Sequence, residues 1–292
     1  MKYSFVTRHK NTYPISLQCE VLGVSRSGYY HYERNTVNRP RDPEHEEMLD
    51  WVKKIAVASG YSYGSRRMKK ALNALGYPVS RNKARKLMRE AGVQVRHRKK
   101  YKVTTDSNHR HPVFDNLLSR QFDVSSPDQV YASDVTYIWT QEGWLYLAVV
   151  IDLCSRKVVG WSMSTRMKAQ LVCDALRMAI WRRRPTAGLI HHSDRGSQYA
   201  SKSFRRLLKV HGFIGSMSRK GDCWDNAVVE SFFGSLKQER VQWRNYQTRN
   251  EAQQDVLSYI SMFYNSYRLH SYLGYVSPND FENQLMELKN AA

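Results

Sequence analysis

Asp134, Asp194 and Glu230 are the residues of this chain whose type and spacing can do chemistry. Asp134 stands in the apolar run Val130-Tyr-Ala-Ser-Asp-Val-Thr-Tyr-Ile138, and Asp194 closes the run Leu189-Ile-His-His-Ser-Asp194. Glu230 follows after 35 intervening residues, in Asp225-Asn-Ala-Val-Val-Glu-Ser-Phe-Phe-Gly-Ser-Leu-Lys237. Two aspartates on strands and a glutamate on a helix can hold two divalent cations. Such a pair clamps the entering and leaving oxygens of an in-line phosphoryl displacement. Magnesium needs few carboxylates, because water and phosphate oxygens complete its shell. On the glutamate helix, Lys237 falls two turns after Glu230 on the same face, so a carboxylate can face metal while an ammonium faces phosphate.

Acids alone are a weak signal in a chain with 26 of them. The plain alternative makes Asp134 and Asp194 strand-end turn residues and Glu230 half of a helical ion pair. Asp152 also ends a strand and reads as a turn cap before a fourth carboxylate. Of His191 and His192, at most one can face the metal side, because strand side chains alternate; a core or positioning role is favoured for both. Ser193 and Ser197 lack the base and orienting partner of a nucleophile. Trp144 and Trp224 read as core or loop packing before base-stacking platforms.

The charge names the phosphate. The net charge is +20, and 17 of the 46 Lys and Arg but two of the 26 Asp and Glu fall within residues 51–110. A basic segment on helical patterns, interleaved with Tyr, Gly and His, points to nucleic acid over anionic lipid. The four cysteines form no CxxC pair and fit neither a zinc site nor a disulfide framework. They read as reduced thiols of a cytoplasmic protein. No signal peptide is legible, and the longest apolar run, 144–151, is a buried strand too short for a membrane span.

The elements that must position the triad follow from pattern. Residues 1–42 hold two short helices in a helix-turn-helix-like segment, with Ser16 and Ser25 as caps and a linker at 35–43. Residues 43–95 form a basic helix-turn-helix-like DNA-binding domain. Its last helix, 81–90, sets Ala84, Leu87 and Met88 on one stripe and Arg81, Lys83, Arg85, Lys86 and Arg89 on the other, as a recognition helix requires. Residues 96–124 are a basic linker carrying Arg96, Arg98, Lys99 and Lys100. Residues 125–242 bring three strands (130–139, 144–153, 156–163), then helix, strand, helix, strand and the glutamate helix. That order predicts an α/β, RNase H-like domain. Residues 243–292 form a helical C-terminal segment, with Thr248 and Ser277 as caps.

Several motifs together resemble a known family. Asp134-Val-Thr-Tyr137, the run 144–153, Ser155-Arg156, His192-Ser-Asp-Arg-Gly-Ser-Gln-Tyr199, Asp225-Asn-Ala-Val-Val-Glu-Ser-Phe-Phe233 with Leu236-Lys237, and Leu273-Gly-Tyr275 are similar to the integrase catalytic core of bacterial insertion-sequence transposases. The resemblance is to the group expressed from two overlapping frames by ribosomal frameshifting, and to its downstream frame. It implies an integrase-type DDE polynucleotidyl transferase in which Asp134, Asp194 and Glu230 are catalytic and bind two Mg2+ (or Mn2+) per active site. Water would nick DNA at an element end, and the freed 3′-OH would attack another phosphodiester, first joining end to end in a circular intermediate. Lys237, Asn226 and Gln198 match positions near the cut. The implied partners are double-stranded DNA (terminal inverted repeats and target), further copies of the chain on DNA, and the upstream-frame product as partner or fusion, with no membrane. The implied location is the bacterial cytoplasm, at the nucleoid. Two features of the wider family are missing from the pattern: a His/Cys zinc module and an a/d heptad run. An RNase H-like nuclease without strand transfer and a non-catalytic DNA-binding regulator are the alternatives.

Overall fold

The computed structural model describes residues 1–37, 42–96, 113–219 and 223–290. Three helices lead the chain: α1 (Lys2–His9), α2 (Ile15–Val21) and α3 (Arg26–Tyr32), packed around Val6, Cys19 and Tyr29. Ser25 caps α3 by accepting the Gly28 N–H. Ser16 does not cap α2, which begins one residue earlier, after Pro14, with no side-chain cap. Helix α1 has a single buried residue, Val6, which is why no apolar period announces it. A π-type turn, Glu33–Val37, takes up the first residues read as linker, and residues 38–41 lie outside the described residues.

Helices α4 (Pro43–Ala58), α5 (Ser65–Ala74) and α6 (Arg81–Glu90) enclose Met48, Val52, Met68, Leu72, Ala84 and Leu87. Asp42 caps α4 with Pro43 at its first position, and Ser80 caps α6 through the Lys83 N–H.

The third unit is a five-stranded sheet in the order β3-β2-β1-β4-β5. β1 (Val130–Thr140), β2 (Gly143–Asp152) and β3 (Val158–Ser164) form an antiparallel meander; β4 (Ile190–Ser193) and β5 (Ile214–Met217) run parallel to β1. Helices α7 (Ala169–Arg183) and α8 (Lys202–Val210) cover one face, and α9 (Ala227–Glu239) and α10 (Arg249–Ser258) the other. Along β2, Leu145, Leu147, Val149 and Ile151 point to α9 while Ala148 and Val150 point to α7. Both faces are dry, so β2 reads as a continuous apolar run without alternation. Gly160 lets α7 lie against β3: a Cβ there would stand 2.2 Å from the Ala175 carbonyl oxygen.

After α10, a π-type stretch, Tyr259–Tyr264, leads to the last helix, α11 (Pro278–Asn290). This segment ties the units together. Asn265 Oδ1 accepts from the Val158 N–H and its Nδ2 donates to the Val158 carbonyl. Buried Glu282 accepts from Ser155, Lys157 and Arg183. Tyr63, before α5, donates to the Tyr267 carbonyl and accepts from the Leu269 N–H. Among the described residues, no helix is long and apolar enough to cross a membrane.

Candidate active site

The register of two strands creates the site. β1 and β4 are parallel neighbours with Ser133 opposite Ser193, so the next residue on each strand is an aspartate. Adjacent strands lie about 4.8 Å apart, which makes Asp134 and Asp194 immediate neighbours. β4 stops there while β1 continues to Thr140, leaving both carboxylates at the carboxyl edge of the parallel half, where open α/β sheets bind ligands. Asp134 accepts its bond from the Val135 N–H at 2.7 Å, and Asp194 from the Gly196 N–H at 2.9 Å. A Cβ on residue 196 would stand 2.9 Å from Asp194 Oδ1, so glycine is what allows this turn to wrap the carboxylate.

Glu230 projects from the first turn of α9, whose Val229, Phe232, Phe233 and Leu236 are buried against the sheet. Glu230 itself is exposed. Burial pushes the Asp134 carboxyl well above the ordinary aspartate range; Asp194 and Glu230 push the same way, against the Val135 N–H and Lys237. Partial desolvation by the groups around it raises the exposed Glu230 carboxyl too. Among the described residues, no three His, Cys, Asp or Glu side chains converge closely enough to ligate an ion. The aspartate pair is therefore assembled, and Glu230 acts on it through its field from further off. Two carboxylates pressed together, one disfavoured as an anion, suit a divalent cation by the chemistry of their donors.

Sequence reasoning missed the anchor of the glutamate helix. Asp225 is fully buried and accepts from Asn116 Nδ2 (2.8 Å), Arg120 Nε (3.1 Å) and the Arg219 N–H (3.0 Å). Burial alone would raise its pKa, but these bonds, led by the Arg219 N–H and the Arg120 guanidinium, hold it below the usual range. Residues 113–124, read from sequence as the end of a linker, are thus a strap along β5. The Met217 N–H bonds the Asp115 carbonyl, the Leu117 N–H bonds Ser216, and Leu118 enters the core. No local pattern could announce these bonds, since Asp225 and Asn116 are more than a hundred residues apart. Tyr199 was missed too: its buried hydroxyl finds no partner among the described residues, and burial, then Asp134 and Asp194, raise its pKa far up.

The other expected residues divide. Lys237 lies on the rim with Nζ 4.9 Å from the Tyr137 ring centre, and burial lowers its pKa. Gln198 is part-exposed and donates to the Met167 carbonyl. Asn226, expected at the DNA, is instead 4% exposed and donates to the Ser133 carbonyl beside Asp134. His191 bonds Ser133, and His192 bonds Ser216 and Ser218. Burial lowers them to about 3 and about 4, so both are neutral core groups. Asp152 caps its turn, accepting from the Ser155 and Asp128 N–H groups. Ser193 is buried and bonds the Asp194 carbonyl. Trp144, expected in packing, is 43% exposed at the β1–β2 hairpin, because the helices on that face stop short of the hairpin's end.

On α6, Arg81, Lys83, Arg85, Lys86 and Arg89 are all exposed while Ala84, Leu87 and Met88 are buried. Arg96 is exposed, its guanidinium 5.3 Å from the Tyr61 ring centre and 5.2 Å from that of Trp243. Arg98, Lys99 and Lys100 lie outside the described residues, as does the Trp224 side chain.

Three stretches match family models: an HTH-like domain over residues 43–101, and an integrase core domain over 124–223 and again over 230–286. The chain is 44% identical over 285 residues to the transposase InsF of insertion sequence IS3A from Escherichia coli K12, covering 97% of this chain and 99% of that protein. It is 40% identical over 270 residues to an uncharacterised 31 kDa protein of insertion element IS600 from Shigella sonnei, covering 92% and 99%. Among solved structures, the HTLV-2 integrase catalytic core with magnesium aligns at 16% identity, over 53% of this chain and 97% of that one, with a TM-score of 0.41.

Proposed function

This chain belongs to the IS3-type insertion-sequence transposases with an integrase core, and from that membership we propose that it cuts DNA at its element's ends and joins the freed 3′ ends to other DNA. The observation that carries the reading is the β1–β4 register, which sets Asp134 beside Asp194 at the sheet's ligand-binding edge. Asp134, Asp194 and Glu230 are the catalytic residues of this proposal and would hold two Mg2+ (or Mn2+). Bound there, the ions supply acidity to the attacking hydroxyl and neutralise charge on the phosphate.

The chain's own groups do the rest. The Gly196 N–H fixes Asp194, the Val135 N–H fixes Asp134, and Asn226 holds the β1 backbone at Ser133, next to Asp134. Glu230, on the first turn of α9, would complete the donor set. Lys237 meets the phosphate from the same helix. In the first step a water oxygen bonds to phosphorus, the P–O3′ bond breaks, and the leaving oxygen takes a proton. In the second, that 3′ oxygen bonds to another phosphorus as a new 3′ oxygen leaves. One phosphodiester forms for each one broken, so the transfer needs no external energy source. DNA is held by the unit 43–95 through Arg81, Lys83, Arg85, Lys86 and Arg89, and by the basic stretch with Arg96, Arg98, Lys99 and Lys100. The ends to be joined call for more than one copy of the chain, with the upstream-frame product supplying the pairing segment that this sequence lacks.

The test incubates the protein and Glu230→Gln with Mg2+ or Mn2+ and labelled duplex carrying the element's end. Joined products from the parent and none from Glu230→Gln are expected. Nicks without joined products would point to a nuclease. Metal-independent DNA binding with no product, even with the upstream-frame protein added, would leave a regulator.

A further inference from the structure

We propose that the three-helix unit 1–37 is a second reader of duplex DNA, with the exposed side of α3 entering a major groove apart from the stretch held by the unit 43–95. This role goes beyond the contacts proposed above and rests only on DNA being the substrate. The unit is built as a helix-turn-helix. Four residues, Leu22 to Ser25, join α2 to α3, a turn of the length the motif uses. Gly23 takes a left-handed φ of +60° there. Its N–H bonds the Glu20 carbonyl at 3.1 Å and the Val24 N–H bonds the Cys19 carbonyl at 2.9 Å, the paired bonds that lock a helix end. Ser25 then caps α3. Buried Gln18 donates to the His9 and Tyr13 carbonyls, which fixes α2 on the end of α1.

The frame turns one side of α3 inward and leaves the other to solvent. Tyr29 enters the core with Val6 and Cys19, and Tyr32 stacks on Tyr3 with ring centres 5.7 Å apart. The outer side carries Arg26, Ser27, Tyr30, His31 and Arg34, all exposed. At 3.6 residues per turn these five span about 140° of the helix surface. Arg34 lies just past α3, but Glu33 keeps helical dihedrals and Arg34 Nε bonds the Tyr30 carbonyl at 3.4 Å, which holds it on the same side. No acid shares this face. Glu33 is turned away, 2.8 Å from Lys10 Nζ and accepting from the Tyr29 hydroxyl. Glu20 is exposed on the side of α2 opposite Cys19, with Leu17 and Val21. Arginine, serine, tyrosine and histidine are side chains that bond phosphates and base edges, and no carboxylate stands among them to repel the backbone. An acidic protein would match the arginines and give no reason for the helix-turn-helix frame that presents them.

Anisotropy titrations over a range of salt, with hydroxyl-radical footprints, test this on the full chain and a labelled duplex carrying the element's end. Arg26→Gln with Arg34→Gln is compared with the same two positions changed to Lys, with Arg85→Glu plus Arg89→Glu on α6, and with Val21→Ser. The Gln pair should weaken binding about tenfold or more and lower the slope of log affinity against log salt by about 2. It should strip one patch of the footprint, leave the patch that depends on α6, and melt with the parent. The Lys pair should keep the slope and the patch, and Val21→Ser should match the parent. An unchanged slope and footprint in the Gln pair would overturn the proposal. So would a Lys pair that loses the slope as fully as the Gln pair, because the charge is still present. A Val21→Ser change in oligomeric state, with DNA binding indifferent to the α3 variants, would do the same and make the unit a protein interface. DNA binding indifferent to the α6 pair, with the α3 patch still protected, would sink the DNA contacts proposed for the unit 43–95 and leave this reader standing.

Discussion

Burial, then the Asp194 carboxylate beside it and the field of Glu230 further off, push the Asp134 carboxyl well above the ordinary aspartate range. A carboxyl whose folded pKa is raised costs no stability below about pH 3.9, where the unfolded chain is also protonated, and costs progressively more as pH climbs through the raised value. Asp134→Asn should therefore raise the melting temperature of the metal-free protein at neutral pH, by about 2–4 °C per kcal/mol relieved. The gain should fade toward pH 4. Added Mg2+ should raise the melting temperature of the parent and leave the variant unmoved. Calorimetry showing the variant melting lower at pH 7 without metal would refute the strain read at this residue. Gly196→Ala tests the turn around Asp194. With 2.9 Å between the new methyl and Oδ1, metal-dependent cutting should fall about tenfold or more while DNA affinity holds. Residue identities were the most legible layer: the acids stand out by their apolar flanks. Tyr199 and Asn226 did not, because their roles depend on burial that nothing in their own neighbourhood sets.

At the scale of elements, α6 and α9 carry the separable tasks. Helix α6 pairs a buried apolar stripe with an exposed basic one, a pattern fully written in a ten-residue window. Arg85→Glu with Arg89→Glu should cut duplex affinity by tenfold or more and lower the slope of log affinity against log salt by about 2, measured by titration. An unchanged slope would place the duplex elsewhere. Helix α9 depends instead on Asp225, which ties its entry to the strap 113–124 through Asn116 and Arg120. Asp225→Asn should cost about 1–3 kcal/mol of stability. It should slow cutting more than it weakens DNA binding, because Glu230 sits at the next turn; equal losses in turnover and affinity would argue against a positioning role. The strand and helix order was legible from period and caps. The strap was not, since its bonds span about a hundred residues.

Across the whole molecule, one buried ion pair joins the units. Arg268 Nη2 meets Glu239 Oε1 at 2.7 Å with both side chains under a tenth exposed, the Tyr259 hydroxyl donates to Glu239, and Arg67 of α5 approaches at 3.7 Å. Arg268→Ala leaves that buried carboxylate with only the longer Arg67 contact and the Tyr259 hydroxyl, so denaturant unfolding should report a loss of about 3–5 kcal/mol. The protein should also weaken in acid. Burial lowers His191 to about 3, His192 to about 4 and His270 to about 2. The unfolded chain binds protons on all three near pH 6.5 before the folded one does, so stability should fall as pH drops from there toward 4. A flat profile would contradict neutral buried imidazoles. The sequence by itself determined the local and the summed: the basic field, the caps, the amphipathic recognition helix, the apolar strands and the identity of three acids. Only the tertiary structure decided which acids meet. Parallel pairing of β1 with β4 places residues 60 apart side by side, while the docking of α9 leaves Glu230 further out. The same packing buried Asn226 and left Trp139 and Trp144 in solvent. Periodicity reports which side of its own element a residue takes; what covers that side is fixed by elements far away in the chain.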